Sequence, residues 1–206
     1  MWGAVRSQFL GRQRECRAVV VGLDGAGKTS IVSRLKNGHL DEKKIISTVG
    51  FNVECVEYRK MIFSLWDLGG SADARSFWHL YYPDTQAIIF VVDCHDIERL
   101  VEARHELHRM LAEYELWDAP LLVYANKQDL PHAKKVREVA EVLNLFSLST
   151  RNWHIVDTQA THADITDANL HAGLDWLMEV LLMSGAQRQL KAKLEYRKHN
   201  ARGPQD

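Results

Sequence analysis

The sequence lacks the features of a secreted or membrane-spanning protein. It contains only three cysteines among 206 residues. Cys16, Cys55 and Cys94 lie far apart and form no C-x-x-C pair, which argues against a disulfide framework and a cysteine-based zinc site. No apolar run approaches the roughly 18 residues that a membrane-spanning helix needs, and the first residues are too polar for a secretion signal. We therefore expect a cytoplasmic protein.

Neither sign of charge is in large excess, because the formal net charge is −1. We therefore expect no nucleic-acid partner. Positive charge is instead concentrated at both ends of the sequence. Residues 1–17 carry four arginines and one glutamate, and residues 187–206 carry six basic and two acidic residues. Such ends could contact an anionic membrane surface, or they could be solvated tails.

Short apolar runs alternate with helical patterns along the chain. The runs cover residues 18–21, 61–66, 87–92 and 121–125. Three of them are nearly unbroken apolar segments, which is typical of buried parallel strands. Apolar residues recur at helical spacing in 31–35, 100–111 and 170–182. Residues 51–58 and 61–66 are joined by Arg59-Lys60, which predicts an antiparallel hairpin. The pattern predicts one α/β domain over residues 15–183, with a mostly parallel sheet, an edge hairpin and helices on both faces. We expect residues 1–14 to be an amphipathic segment and residues 184–206 a basic tail.

A complete phosphate-loop motif follows the first strand. Residues 22–29 read GLDGAGKT, which matches G-x-x-x-x-G-K-[ST]. Glycines let the backbone wrap around phosphate oxygens, and the following helix N-terminus supplies partial positive charge. Lys28 would contact the β- and γ-phosphates, and the Thr29 hydroxyl would coordinate magnesium. The expected nucleotide contacts here are Asp24, Gly25, Ala26, Gly27, Lys28, Thr29 and Ser30.

An acidic residue ends the strand predicted over residues 61–66. Residues 67–70 read DLGG, a D-x-x-G match that gains weight only from its position. The carboxyl end of this strand would face the phosphate loop across the sheet crevice. Asp67 could then hold magnesium through water, and the Gly70 N–H could meet the γ-phosphate.

A base-reading motif follows the run at 121–125. Residues 126–129 read NKQD. The Asp129 carboxylate can accept two parallel hydrogen bonds from the N1–H and exocyclic amine of guanine, a donor pair that adenine lacks. Asn126 would connect the loops and contact N7, while the Lys127 stem covers the ring. The Ala160 N–H is the candidate donor to guanine O6, although a plain surface turn also explains that segment.

Together these motifs resemble the Arf family of small GTPases over residues 16–182. Further Arf-like stretches are TVGFNVE at 48–54, WDLGG at 66–70 and GLDWL at 173–177. The resemblance implies a GTP/GDP switch with Mg²⁺, in which the Thr48 hydroxyl joins Thr29 and Asp67 at the metal. It also implies mobile segments near 41–50 and 68–82 and a hairpin that slides when GTP binds.

The resemblance also implies partners. Phe51, Trp66 and Tyr81 match an aromatic trio that Arf proteins present to effectors, although core packing is the alternative from the residues alone. The family acts under exchange factors and GTPase-activating proteins, and recruits coats, tethers or lipid enzymes in vesicle-mediated transport. We accordingly expect a monomer with peripheral contact to Golgi or endosomal membranes.

One departure from the family pattern concerns catalysis. Arf proteins carry a glutamine after the double glycine, and that side chain orients the attacking water. Here the position is Ser71, whose shorter side chain cannot reach the same point. With Lys28, Gly70 and Ser71 as the catalytic positions, we expect slow hydrolysis. Asp73 or a residue from a partner could position the water instead.

Other departures concern the ends and loops. Trp2 stands where Arf proteins have a myristoylated glycine, although Trp2, Val5 and Phe9 share one helical face and could still lie at a membrane interface. Palmitoylation of Cys16 is an alternative anchor, although a cysteine at the start of a strand is the favoured interpretation. Ser47 replaces a proline, which would loosen the segment before Thr48. A longer loop spans residues 162–169.

Two functions remain open from the sequence. One is a regulatory GTPase of low turnover. The other is a GTP-loaded binding module with negligible hydrolysis, and Ser71 is the residue that separates them. A P-loop kinase of small molecules does not fit, because the base-reading motif is present and no arginine-rich lid segment appears in mid-chain.

Overall fold

A six-stranded sheet organises the computed structural model, which describes residues 14–40, 48–160 and 168–201, with side chains up to 184. The strand order is β2-β3-β1-β4-β5-β6. All neighbouring pairs are parallel except β2 and β3, which form the predicted antiparallel hairpin. The strands are β1 (Arg14–Val21), β2 (Phe51–Tyr58), β3 (Met61–Leu68), β4 (Ala87–Asp93), β5 (Leu121–Asn126) and β6 (Trp153–Asp157).

Within the described residues, five α-helices connect and cover these strands. They are α1 (Lys28–Asn37), α2 (Ala72–Arg75), α3 (Leu100–Leu111), α4 (Val136–Val142) and α5 (Ala168–Ala201). Short 3₁₀ helices occupy Trp78–Tyr81, Ile97–Arg99, Tyr114–Leu116 and Leu145–Ser147. The fold is therefore the predicted α/β architecture. Helix α5 continues to Ala201 and so extends into the segment predicted as a basic tail; the domain boundary at residue 183 stays a prediction.

Two hydrophobic cores lie on the two faces of the sheet. Alternate residues of β1 divide between them, because successive strand side chains point to opposite faces: Val19 joins the core under α3 and α4, and Val20 joins the core under α1 and α5. Cys16 is buried in the second core, which supports the interpretation of a cysteine at a strand start. Within the described ranges, no helix combines the length and apolar character required to cross a membrane.

The parallel strands bring the predicted functional segments to one edge of the sheet. The phosphate loop follows β1, Asp67 lies at the end of β3, and Asn126 ends β5. Ligands of open α/β sheets bind outside the carboxyl ends of the strands. The topology therefore places these three segments around one crevice.

Candidate nucleotide-binding site

The phosphate loop joins β1 to α1 through glycines that no other residue could replace without strain. Gly22 and Gly27 have φ angles of 144° and 96°. A side chain at Gly22 would overlap the Val91 carbonyl oxygen, and one at Gly27 would overlap the Asn126 amide. Helix α1 starts at Lys28 and has no side-chain cap. Its first N–H groups are therefore open to an anion.

Lys28 is buried at the centre of this loop. Its Nζ donates to the carbonyl oxygens of Gly22 at 3.0 Å and Leu23 at 2.9 Å. Burial lowers the pKa of Lys28 to about 8, although the nearby carboxylates of Asp67 and Asp24 act in the opposite direction. A buried ammonium held mainly by neutral carbonyls is matched to an anionic ligand, because a phosphate would supply the missing negative charge.

The three residues predicted to hold a metal lie together. Thr29 Oγ1 donates to Asp67 Oδ2 at 2.6 Å and lies 3.0 Å from Thr48 Oγ1. Thr48 Oγ1 is 3.5 Å from the same carboxylate oxygen. Burial raises the pKa of Asp67, partly offset by Thr29 and Lys28. Its Oδ1 is buried without a hydrogen-bond partner.

This donor set fits magnesium. Hydroxyl and carboxylate oxygens are hard ligands, and the unpartnered Asp67 Oδ1 leaves a buried acceptor for a metal or its water. The described residues contain no group of three histidine, cysteine, aspartate or glutamate side chains that could hold a metal by themselves. Magnesium here would therefore need phosphate and water as its remaining ligands, as in nucleotide-dependent sites.

Gly70 lies directly against the phosphate loop. Its carbonyl accepts from the Asp24 N–H at 3.0 Å, and a side chain there would come within 2.5 Å of Asp24 N, Gly22 O and Lys28 Nζ. The same carbonyl accepts from Arg75 Nη1 at 3.0 Å. Arg75 is buried and pairs with Glu102 and Glu106 of α3. No sequence motif predicts Arg75, because its partners lie on a distant helix.

Ser71 follows Gly70 and is exposed. Its Oγ accepts a hydrogen bond from the Ala74 N–H at 3.3 Å and caps α2. The hydroxyl is therefore directed to its own helix. Asp73, the alternative group for positioning water, is exposed in the first turn of α2, and both side chains line the same cleft.

Asn126 connects the base-reading loop to the phosphate loop, as expected. Its Nδ2 donates to the Ala26 carbonyl at 2.9 Å, and its Oδ1 accepts from Thr158 Oγ1 and the Ala160 N–H. Because the Ala160 N–H bonds Asn126 in this structure, its contact with guanine O6 stays a prediction. Asp129 is exposed in the following turn.

Lys127 is held by Asp93, which no sequence motif predicts. Its Nζ donates to Asp93 Oδ2 at 2.6 Å, and its φ of 65° is left-handed. The sequence signal for Asp93 is its position directly after the apolar run at 87–92. The contact fixes the Lys127 stem beside the cleft.

One open cleft of about 940 Å³ joins these groups. Its lining includes the phosphate loop, Thr48, Gly70, Ser71, Asn126, Lys127 and Ala160. The volume is in the range of small-molecule sites. The structure thus brings together the predicted phosphate, metal and base-reading segments, with Asp129 outside the cleft lining. The predictions for Trp2, Val5, Phe9, Ser47 and most of the 162–169 loop fall outside the described residues.

Comparison with known proteins agrees with this geometry. The sequence matches the ADP-ribosylation factor family over residues 3–181. This chain belongs to the ADP-ribosylation factor family. Among solved structures, this Arf-family chain is similar to the structure of the Arl6 BBS3 small GTPase from Trypanosoma brucei with bound nucleotide analogue GppNp. The two are 31% identical with a TM-score of 0.73, and the match covers 82% of this chain and 98% of the other.

The family assignment establishes the general activity. Arf-family proteins are small GTPases that switch between GTP and GDP, typically with Mg²⁺, and hydrolyse GTP. Such proteins generally bind effectors, exchange factors and GTPase-activating proteins.

The aromatic trio of this Arf-family chain forms one cluster beside the cleft. The ring centroid of Phe51 lies 5.4 Å from that of Trp66 and 5.0 Å from that of Tyr81. Arg17 places its guanidinium carbon 3.7 Å from the Trp66 ring centroid and donates from Nη2 to the Tyr81 carbonyl. Val53 of β2 is also exposed and apolar, as are Val49, Phe77 and Leu80, which line the cleft together with Tyr81. Phe51 is 48% exposed, so the cluster reaches the surface.

Proposed function

We propose that this chain is a GTP-dependent switch that recruits effectors in its GTP-bound state and hydrolyses GTP slowly. The observation that carries the proposal is the convergence of Lys28, Thr29 and Thr48 on one cleft that also receives Asn126 and Lys127. Asp67 is buried and accepts a hydrogen bond from Thr29 of this cleft. In this assignment Lys28 binds the β- and γ-phosphates, and the three oxygen-bearing side chains hold Mg²⁺. Bound Mg²⁺ neutralises charge that develops on the phosphate oxygens.

The guanine end of the site rests on Asp129 and Asn126. Asp129 accepts from the N1–H and exocyclic amine, while Asn126, rigidly bonded to Ala26, orders the loop around the base. The main-chain groups of Asp24, Gly25, Gly27 and Ser30 would surround the phosphates. The Gly70 N–H contacts the γ-phosphate and so connects nucleotide state to α2.

Slow hydrolysis follows from the chemistry of residue 71. The serine hydroxyl is short and already accepts from the Ala74 N–H, so it is not directed at an attacking water. A chain that hydrolyses negligibly would act mainly as a GTP-loaded binding module. The α2 cap made by Ser71 is the observation that favours this second candidate.

The partners follow from the exposed surface. The cluster of Phe51, Trp66 and Tyr81 beside the cleft is suited to effectors that read the nucleotide state, because Trp66 precedes Asp67 in β3. An exchange factor and a GTPase-activating protein would control the cycle. We further infer a role in vesicle-mediated transport, with basic ends that favour peripheral contact with anionic Golgi or endosomal membranes.

Nucleotide selectivity tests the assignment. Purified protein with Mg²⁺ should bind GDP and GTP at least about a hundredfold more tightly than ADP and ATP, since adenine leaves the Asp129 carboxylate unpaired. The Asp129→Asn variant should lose GDP and gain xanthosine diphosphate, because an amide donates to the xanthine O2 and still accepts from N1–H. Equal binding of ADP and GDP, or an Asp129→Asn variant with unchanged preference, would overturn the base-reading assignment.

A further inference from the structure

Asp24 places a carboxylate at the rim of the phosphate loop. The residue lines the cleft and its backbone N–H bonds to the Gly70 carbonyl, so it lies at the end of the loop where the terminal phosphate is expected. Its charge also reaches Lys28, whose pKa it acts to raise. An unbalanced carboxylate at this position would repel a triphosphate and compete with it for Lys28.

Arg99 forms an ion pair with the Asp24 carboxylate. It ends the 3₁₀ helix Ile97–Arg99 immediately before α3, and its Nη1 donates to Asp24 Oδ1 at 3.0 Å. The Arg99 Nε donates to Asp96 Oδ2 at 2.6 Å, while Asp96 Oδ1 accepts the Arg99 backbone N–H at 3.3 Å. Asp96 therefore fixes the guanidinium through Nε, and Nη1 remains for the contact with Asp24.

We propose that Arg99 is a positioning residue that holds the Asp24 carboxylate against the start of α3, away from the terminal phosphate of bound GTP. The proposal rests on the nucleotide assignment given above. Loss of Arg99 frees Asp24 to turn toward Lys28 and the γ-phosphate. The effect falls on GTP more than on GDP, because GDP has no phosphate at the Gly70 end of the loop. Arg99 itself makes no contact with the nucleotide in this arrangement.

The test is a double-variant cycle on the full chain with GDP and GTPγS as probes. Arg99→Ala should lower the ratio of GTPγS to GDP affinity about three- to tenfold, as expected for a partly exposed ion pair beside a phosphate. The same substitution on an Asp24→Ala background should leave the ratio of that background unchanged. Arg99→Lys should recover part of the native ratio, since it keeps the charge but not the fork.

Two further readouts separate positioning from a general structural role. The Arg99→Ala effect should shrink as salt rises, because it is electrostatic, whereas a packing defect would persist. Arg137→Ala is the matched control: Arg137 is exposed on α4 and pairs with Glu141, and its loss should leave the ratio at the native value.

The possible outcomes are distinct. If Arg99→Ala leaves the ratio unchanged, or lowers it equally with and without Asp24, the positioning role is wrong. In the second case Arg99 acts on the nucleotide directly or through the fold. If the native chain binds neither GDP nor GTPγS, the nucleotide assignment itself fails, and the positioning role fails with it.

Discussion

The ring of Phe51 stacks on that of Trp66, with an interplanar angle of 13° and centroids 5.4 Å apart. The two residues are diagonal neighbours across the β2–β3 hairpin, because Phe51 pairs with Leu68 and Trp66 pairs with Val53. Arg17 of β1 supports the Trp66 ring at 3.7 Å. Phe51 is thus the exposed member of the aromatic cluster, whereas Trp66 and Tyr81 are partly buried.

Stability measurements can decide between surface presentation and core packing for Phe51. Because half of its surface is exposed, Phe51→Ala should lower the free energy of unfolding by only about 1 kcal/mol, mostly through the lost stacking. The matched control Phe63→Ala removes a fully buried ring of the same hairpin and should cost about 3–5 kcal/mol. Urea denaturation of both variants checks this. Equal losses would make Phe51 a core residue and weaken its assignment as an effector contact.

The tip of the hairpin is tied to α5 by Asp175. Tyr58 Oη donates to Asp175 Oδ1 at 2.8 Å, and Arg59 Nη2 donates to Asp175 Oδ2 at 2.7 Å. Tyr58 also stacks on His171. If the hairpin slides when GTP replaces GDP, this connection must break or shift.

Asp175→Ala should therefore speed nucleotide-coupled motion of the hairpin. We expect hydrogen exchange of amides in 57–62 and the rate of GDP-to-GTP exchange to rise about three- to tenfold, as for loss of one or two partly exposed charge-assisted bonds. Glu179→Ala, on the same helix, is a control that should change neither rate. Faster amide exchange with an unchanged nucleotide-exchange rate would show that the hairpin tip does not limit the switch.

Cysteine chemistry offers an independent check on the fold. Burial raises the pKa of Cys16 and of Cys94 to about 12, whereas Cys55 is exposed on β2. At pH 8 a maleimide should label one thiol per native chain, at Cys55, because the thiolate is the nucleophile. Cys55→Ser should abolish native labelling, and denaturation should expose the other two. Rapid labelling of Cys16 in the native protein would contradict its burial in β1.

Much of the fold follows from local sequence signals. The runs at 18–21, 87–92 and 121–125 are apolar on both faces, and this predicts central parallel strands because helices cover both sides of the sheet. The hairpin followed from Arg59-Lys60 between two strand patterns. The 3₁₀ helices did not, because three or four residues carry no periodicity that separates them from a turn.

The motifs gave the central site residues, but not the residues that hold them. Asp93, Arg75 and Arg99 were missed because their roles arise from contacts between elements distant in the chain. Arg99 and Asp24, for example, are 75 positions apart, and no spacing rule connects them. Ser71 was identified by its departure from the family pattern, but its bond to the Ala74 N–H requires the structure.

Single-turnover hydrolysis of GTP by the native chain and by Ser71→Gln tests the proposed role of Ser71. A glutamine reaches the attacking water, whereas the Ser71 hydroxyl caps α2. We expect slow native hydrolysis and a rate about tenfold to a hundredfold higher in Ser71→Gln. Ser71→Ala serves as the control: it should weaken the cap of α2 without accelerating hydrolysis. If the native chain hydrolyses GTP as fast as Ser71→Gln, another group positions the water, Asp73 is the first candidate, and the proposed restraint at Ser71 is wrong.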